Sequence, residues 1–214
     1  MLRYRYLSLC VLLVAFLATP VAVLAQTPQA VTVDPELAQV VDSLRFDLTE
    51  AAKKPKRAKI EYDEVTDNTI VRQFFYFSRG HGFLSLDGPD VVDGDIAFIF
   101  GGKAHAAADG LIALKLRNAV GPNDQLALRD NNVLYVLADG QRFSIESDDY
   151  GLRRDGIQLV ENVTYMLKPL HLLALANSVD VKLKVGPFEF RMDNRAQKAF
   201  QFVTARFLTD LEVE

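Results

Sequence analysis

Residues 179–192 alternate between apolar and charged side chains, a pattern that a half-buried antiparallel strand pair satisfies. Gly186 and Pro187 interrupt the alternation and mark a turn between the two runs. The apolar positions are Val179, Val181, Leu183, Val185, Phe188, Phe190 and Met192. One face of this C-terminal hairpin must therefore pack against a hydrophobic core. The other residues of that core must come from the rest of the chain.

Three helices are predicted from apolar spacing and capping residues. An amphipathic helix covers residues 34–54 and is stopped by Pro55. Pro169 opens a short helix over residues 169–177. After the hairpin, Asp193 or Asn194 caps a C-terminal helix whose apolar side carries Ala196, Ala199, Phe200, Val203, Phe207 and Leu211.

Between the first two helices the chain consists of short runs rich in β-branched and aromatic residues, separated by turn residues. Asp139 and Gly140 are a strong hairpin signal, because that turn requires positive φ. Residues 147–156 are polar and charged, which predicts a surface loop. We expect an α+β fold, mainly an antiparallel sheet that could form a sandwich or a partial barrel, with a single domain over residues 58–211.

The first 25 residues have the pattern of a cleavable signal peptide. Arg3 and Arg5 precede an apolar run over residues 7–17, and a small-residue site ends at Ala25. A membrane anchor is the competing interpretation, and Pro20 argues against it. The sequence predicts a signal peptide over residues 1–25, a flexible leader over residues 26–33, and export to the periplasm, the cell envelope or the medium.

Charge and cysteine content exclude several classes of function. The only cysteine, Cys10, lies in the predicted signal peptide, so the exported chain can form neither a disulfide nor a thiolate metal site. The formal charge of −4 becomes −6 once Arg3 and Arg5 are removed with the signal peptide. An acidic chain is not drawn to nucleic acid. We therefore expect a protein or another envelope component as partner, no nucleic acid, no membrane span after cleavage and no cofactor.

An acidic loop is the best candidate for a metal site in the sequence. Glycine and proline separate four aspartates that could offer oxygen ligands to a hard cation such as calcium. Those residues are Asp87, Asp90, Asp93 and Asp95. Their spacing is not that of an EF-hand, and aspartate and glycine are also ordinary turn formers. Calcium binding and solvated turns remain the two interpretations.

No catalytic set is recognisable in the sequence, so catalytic residues stay unassigned. It contains neither a G-x-S-x-G elbow nor an H-E-x-x-H pair nor a phosphate-binding glycine loop. The three histidines have neighbours typical of turns and of a helix: His81, His105 and His171. Carboxylates around Glu61 could serve a hydrolase if the fold brings two of them together.

Two further stretches have alternative interpretations. The basic run over residues 53–57 reads as a solvated helix end and linker rather than a binding patch. Residues 74–77 are four consecutive aromatics, Phe74, Phe75, Tyr76 and Phe77, so both faces of that strand carry rings. Such a strand is typical of a central position in a sheet, and a ligand platform or a partner surface is the alternative.

Short motifs resemble a loosely defined group of exported bacterial proteins of unknown function. The resemblance rests on residues 61–71, with a Y-D-x-x-x-D-x-T segment, on residues 136–143, and on residues 172–190, with a V-x-x-K-x-G-x-x-E-F hairpin. It covers residues 59–207 and implies a β-rich domain in a bacterial envelope or secreted setting, without an activity. We expect an exported, non-enzymatic binding or interaction domain. The alternative is a small carboxylate-dependent hydrolase assisted by a cation.

Overall fold

The computed structural model describes residues 35–78, 91–106, 108–120, 126–156 and 158–213, which form an α+β fold. The larger antiparallel sheet has six strands in the order β1 (Ala58–Asp63), β2 (Asn68–Ser78), β3 (Val91–Gly101), β5 (Leu111–Val120), β9 (Gln158–Leu167) and β8 (Asp149–Asp155). The smaller has four, β11 (Phe188–Arg191), β10 (Val181–Val185), β6 (Leu134–Ala138) and β7 (Gln141–Ile145). A third pairing joins β4 (Ala104–His105) to β12 (Leu211–Glu212). The helices are α1 (Pro35–Asp42), α2 (Leu48–Ala51), α3 (Pro169–Asn177) and α4 (Asn194–Leu208).

One core lies between the two larger sheets, which makes the fold sandwich-like. Strand β11 contacts β2, and β7 contacts β9, so the small sheet covers the same face of the large sheet that α4 covers over β2 and β3. Ring contacts hold α4 there: Phe200 lies 5.5 Å from Phe75, and Phe207 lies 5.5 Å from Phe98 between centroids. The large sheet stays open, because its described edge strands β1 and β8 pair with different neighbours.

The C-terminal hairpin forms as its alternation predicts. Strands β10 and β11 pair with Leu183 opposite Phe190, and the apolar positions from Val181 onward are buried while the intervening charged ones are exposed. The interpretation of Val179 was wrong: it precedes β10 and is 74% exposed. Its backbone N–H instead donates to the carboxylate of Asp139 in the β6–β7 turn (3.0 Å).

Truncation of Phe190 tests this assignment of faces. Its side chain is 2% exposed, so Phe190→Ala should leave a cavity and lower the free energy of unfolding by about 3–5 kcal/mol. Glu189→Ala on the exposed face of the same strand is the matched control, with an expected change within about 0.5 kcal/mol. Urea denaturation of both variants measures the difference. Equal, small losses would mean that the faces are reversed.

The single helix expected over residues 34–54 is two short helices instead. The segment between them is held by tertiary contacts: Arg45 pairs with Asp139 at 2.7 Å, and its backbone N–H donates to the side chain of Asn177 (2.6 Å). Phe46 packs against the core. Asp47 then begins α2 by accepting a hydrogen bond from the N–H of Glu50. Long-range contacts thus override the helical pattern.

The surface loop expected over residues 147–156 is also different, since strand β8 occupies most of it. β8 pairs with β9 from Asp149 to Asp155 and forms an edge of the large sheet. Its side chains are mostly exposed, so it lacks the alternation by which a half-buried strand is recognised. The turn at Asp139 and Gly140 forms as predicted, with φ of 46° and 89°.

Among the residues described, no helix combines the length and the apolar character that crossing a membrane requires. The residues predicted as signal peptide and leader, 1–25 and 26–33, lie outside the described part.

Candidate ligand-binding groove

A groove lies where β2 extends beyond its neighbour β1. Strand β1 begins at Ala58, opposite Gln73, whereas β2 continues to Ser78. The segment before β1 and the first turn of α4 flank this extension and enclose a volume of about 860 Å³. Its charged lining residues are Lys56, Arg57, Asp193, Arg195 and Lys198, and its aromatic ones are Phe74, Phe75 and Tyr76. We call this the β2 groove.

The β2 groove is basic although the chain is acidic. Four cationic side chains line it, Lys56, Arg57, Arg195 and Lys198, all of them exposed, and none forms an ion pair within the part of the chain that the structure describes. The single carboxylate, Asp193, caps α4 by accepting hydrogen bonds from the N–H groups of Arg195 and Ala196 (2.9 and 2.8 Å). Because of this cap, α4 starts beside the groove and carries Arg195 and Lys198, one turn apart, to its rim.

Aromatic rings and arginines are interleaved on the outer face of β2, the side away from the core. Tyr76 is 52% exposed, and the guanidinium of Arg57 lies over its ring at 5.7 Å. The ring of Phe74 lies between the guanidinium groups of Arg72 and Arg117, at 5.9 and 5.5 Å. These distances suit cation–π attraction. The rings on the core side are used differently, since Phe75 is buried over Gly94, where a Cβ would meet the ring at 2.9 Å.

Two of the four predicted metal ligands, Asp93 and Asp95, lie in β3, the strand that pairs with β2. Asp93 is opposite Tyr76 and pairs with Arg117 at 2.8 Å. Asp95 is opposite Phe74, almost buried, with Arg72 at 3.9 Å. Burial raises the pKa of the Asp95 carboxyl, and the nearby Arg72 opposes that shift. Arginines therefore compensate both carboxylates.

The other two predicted ligands, Asp87 and Asp90, lie outside the described residues. Calcium takes six to eight oxygen ligands, so two strand aspartates that already face arginines would need further donors. Within the described ranges no group of three or more potential ligands comes together. The four-aspartate calcium site stays a prediction.

Histidine chemistry finds no support in the described residues. His105 is buried between the rings of Phe98 and Phe100, at 4.7 and 4.6 Å, and desolvation lowers the pKa of its imidazole. His171 stacks on Phe143 at 5.0 Å, and burial likewise lowers its pKa. Both are packed as neutral aromatic rings. His81 lies outside the described residues.

Glu61 of β1 and Asp95 of β3, one carboxylate from each of the two acidic segments, are far apart. Glu61 lies opposite Ile70 of β2, and Ile70 in turn lies opposite Ile99 of β3. Asp95 is four residues from Ile99 in β3, so Glu61 and Asp95 are separated by about 13 Å along the strand direction. The nearest cation to Glu61 is Lys59, at 3.6 Å. This geometry gives Glu61 and Asp95 no shared substrate position.

One carboxylate, Glu161 of β9, is fully buried, and its role is structural. It accepts hydrogen bonds from the side-chain amide of Asn118 (2.8 Å), from the backbone N–H groups of Ala127 (3.0 Å) and Leu128 (2.9 Å), and from the hydroxyl of Tyr150 (3.2 Å). Four donors satisfy both oxygens, which offsets the cost of burying the charge. Each carboxylate oxygen of Glu161 already accepts two hydrogen bonds, so neither oxygen is directed at a ligand.

Removal of the Glu161 carboxylate should destabilise the fold. Glu161→Ala leaves buried donors of Asn118, Ala127 and Leu128 without an acceptor, so the free energy of unfolding should fall by about 3 kcal/mol or more. Asn162→Ala, the next residue on the opposite face, should cost less than about 1 kcal/mol. Amide exchange at Ala127 and Leu128 should accelerate in the first variant alone. Unchanged exchange there would refute this role for Glu161.

A second, larger groove of about 1040 Å³ lies between α3 and the β6–β7 turn. Its walls are tied together by the Arg45–Asp139 ion pair and by the hydrogen bonds of Asn177, and two further cations, Arg142 and Lys168, line it without an ion pair among the described residues. The β2 groove differs because four cations without ion pairs line it and because its strand edge is unpaired among the described strands. It is the better candidate for binding.

No protein-family model, no curated protein and no solved structure matches this chain. The site must therefore be judged on its own geometry. Sequence reasoning noted both halves of the β2 groove, the basic run at 53–57 and the aromatic run at 74–77, but assigned them to a linker and to a central strand. The contribution of α4 carried no signal, since Arg195 and Lys198 look like ordinary exposed helix residues.

Proposed function

We propose that this chain is an exported, non-enzymatic binding protein of the bacterial envelope, and that the β2 groove receives a negatively charged partner. The observation that carries the proposal is the group of four cations without ionic partners among the described residues, beside an exposed tyrosine. Uncompensated charge of one sign attracts ligands of the other and speeds their association. A chain with formal charge −4 would otherwise repel an acidic partner.

The signal-peptide pattern and the resemblance to exported bacterial proteins support the location. Expression in a Gram-negative host should deliver the chain outside the cytoplasm with an N-terminus at Gln26, as measured by intact mass after cell fractionation. Ala25→Tyr, which places a bulky residue at the cleavage site, should leave the uncut precursor. A full-length wild-type chain in the cytoplasm would contradict export.

Charge reversal tests the β2 groove. The purified protein should bind short polyglutamate, with amide shifts in NMR spectra concentrated around Tyr76 and Arg195, and should bind it less as salt rises. The double variant Lys56→Glu, Arg195→Glu should weaken this binding by about tenfold or more, or about 1.4 kcal/mol. The measurement is isothermal titration calorimetry.

A second basic surface provides the matched control. Lys182 and Lys184 are exposed on the outer face of the four-stranded sheet, beside Tyr135. The variant Lys182→Glu, Lys184→Glu changes net charge by the same amount and should reduce polyglutamate affinity by less than about threefold. Equal losses in both double variants would mean that only net charge matters, and the groove would lose its assignment.

The alternative function, a carboxylate-dependent hydrolase, draws less support from the contacts of its candidate residues. Asp93 and Asp95 face arginines, and Glu61 lies near Lys59.

A further inference from the structure

We infer that the β2 groove binds an extended acidic segment of a partner protein, and that this segment adds to the large sheet as a further strand alongside the end of β2. The inference rests on the proposed function and specifies its ligand: a peptide whose backbone is recognised as well as its charge. Strand addition to an exposed sheet edge is a general mode of peptide recognition, in which main-chain hydrogen bonds supply affinity and side-chain contacts supply specificity.

The end of β2 is unpaired along one of its two edges. On one side β2 pairs with β3 over its whole length, from Asn68 to Ser78. On the other side β1 ends its pairing at Gln73. No other strand in the described ranges pairs with Phe74 or Tyr76 on that side. This edge is therefore open within the described part of the sheet.

The open edge presents the backbone groups of the even-numbered residues of β2. The N–H of Gly102 donates to the carbonyl of Asp67 (2.7 Å), so the odd-numbered residues of β2 direct their backbone groups toward β3. The even-numbered residues, Phe74 and Tyr76, then direct theirs to the side of β1. The N–H of Ala58 agrees with this alternation, because it turns away from β2 and donates to Pro55 (3.0 Å).

Tyr76 is consequently the main hydrogen-bonding position of the edge. The carbonyl of Phe74 accepts a hydrogen bond from the side-chain amide of Gln73 (3.1 Å). The N–H and C=O of Tyr76 have no comparable partner among the described residues. An added strand would pair with both groups. In an antiparallel ladder one opposite residue exchanges both bonds with Tyr76, and in a parallel ladder the two residues flanking the opposite position supply them.

Both faces of an added strand would lie beside positively charged side chains. Successive side chains of a strand point to opposite faces of the sheet. On the core face the strand would meet Arg195 and Lys198 of α4, which packs on that side of β2. On the outer face it would meet Arg57 over the ring of Tyr76. Acidic residues at consecutive positions would therefore each face a cation, which selects an acidic segment rather than an apolar one.

A test must separate recognition of the backbone from recognition of charge. The probe is a fluorescein-labelled peptide of about eight residues in which consecutive glutamates are flanked by threonines, and binding to the purified protein is measured by fluorescence anisotropy. The same peptide N-methylated at alternate residues keeps its charge but loses the hydrogen bonds of an added strand. We expect N-methylation to weaken binding by about tenfold or more on one of the two alternating sets, and a lysine–threonine peptide not to bind.

A protein variant tests the same point from the other side. Tyr76→Pro removes the ring and also the backbone N–H that faces the groove, and proline is tolerated at such edge positions. Tyr76→Ala, which loses the ring but keeps the N–H, is its control. We expect the proline variant to bind the acidic peptide at least about fivefold more weakly than the alanine variant. If Tyr76→Pro does not fold, the N-methylated peptides on the wild-type protein decide the question.

The outcomes separate this inference from the proposed function. Should both N-methylated peptides and Tyr76→Pro leave the affinity unchanged while Lys56→Glu, Arg195→Glu reduces it, strand addition is wrong and a charge-reading groove remains. Should the acidic peptide not bind the wild-type protein even at low salt, both are wrong. Should the protein instead dimerise by sedimentation, with dimerisation abolished by Tyr76→Pro, the occupant is a second copy of this chain and the partner-peptide inference is overturned.

Discussion

A buried carboxylate holds the connection between the two sheets in place. Glu161 lies in β9, next to the edge strand β8 of the large sheet, and binds the backbone of Ala127 and Leu128, in the connection that leads to the small sheet. Further along β9, the hydroxyl of Tyr165 donates to the carbonyl of Asn132 in the same connection (2.8 Å). The turn at Gly186 packs on it as well, where a Cβ would meet the carbonyl of Ala127 at 2.7 Å. The small sheet can cover the core only while this segment is held.

The β2 groove follows from how that core is covered. The small sheet and α4 share one face of the large sheet, and α4 lies over β2 and β3. Its start is set by the Asp193 cap, which places Arg195 and Lys198 beside the part of β2 that β1 leaves unpaired. The basic rim and the open strand edge thus coincide, because β1 and α4 both begin beside the same part of β2.

The candidate site was only partly predictable from residues. Turn-forming composition left a cation site and solvated turns as the two interpretations of Asp93 and Asp95. The register places both on a strand face next to Arg117 and Arg72, which are 24 and 23 positions away from them in the sequence. Such pairing depends on which strands are neighbours, and no local pattern reports it. The aromatic run at 74–77 did indicate rings on both faces of β2. It could not indicate that Tyr76 lies beyond the end of β1 and is therefore half exposed.

The sequence by itself determined the elements whose signals are local: the C-terminal hairpin, the helix at Pro169–Asn177, the turn at Asp139 and Gly140, and the antiparallel character of the fold. Alternation, capping and positive φ act within a few residues, so these elements can be recognised without the rest of the chain. Tertiary structure decided the break at residues 43–47, the edge strand β8 and the β2 groove. These three features depend on backbone hydrogen bonds and ion pairs between distant segments. Such contacts stabilise the structure only once the sheets have assembled.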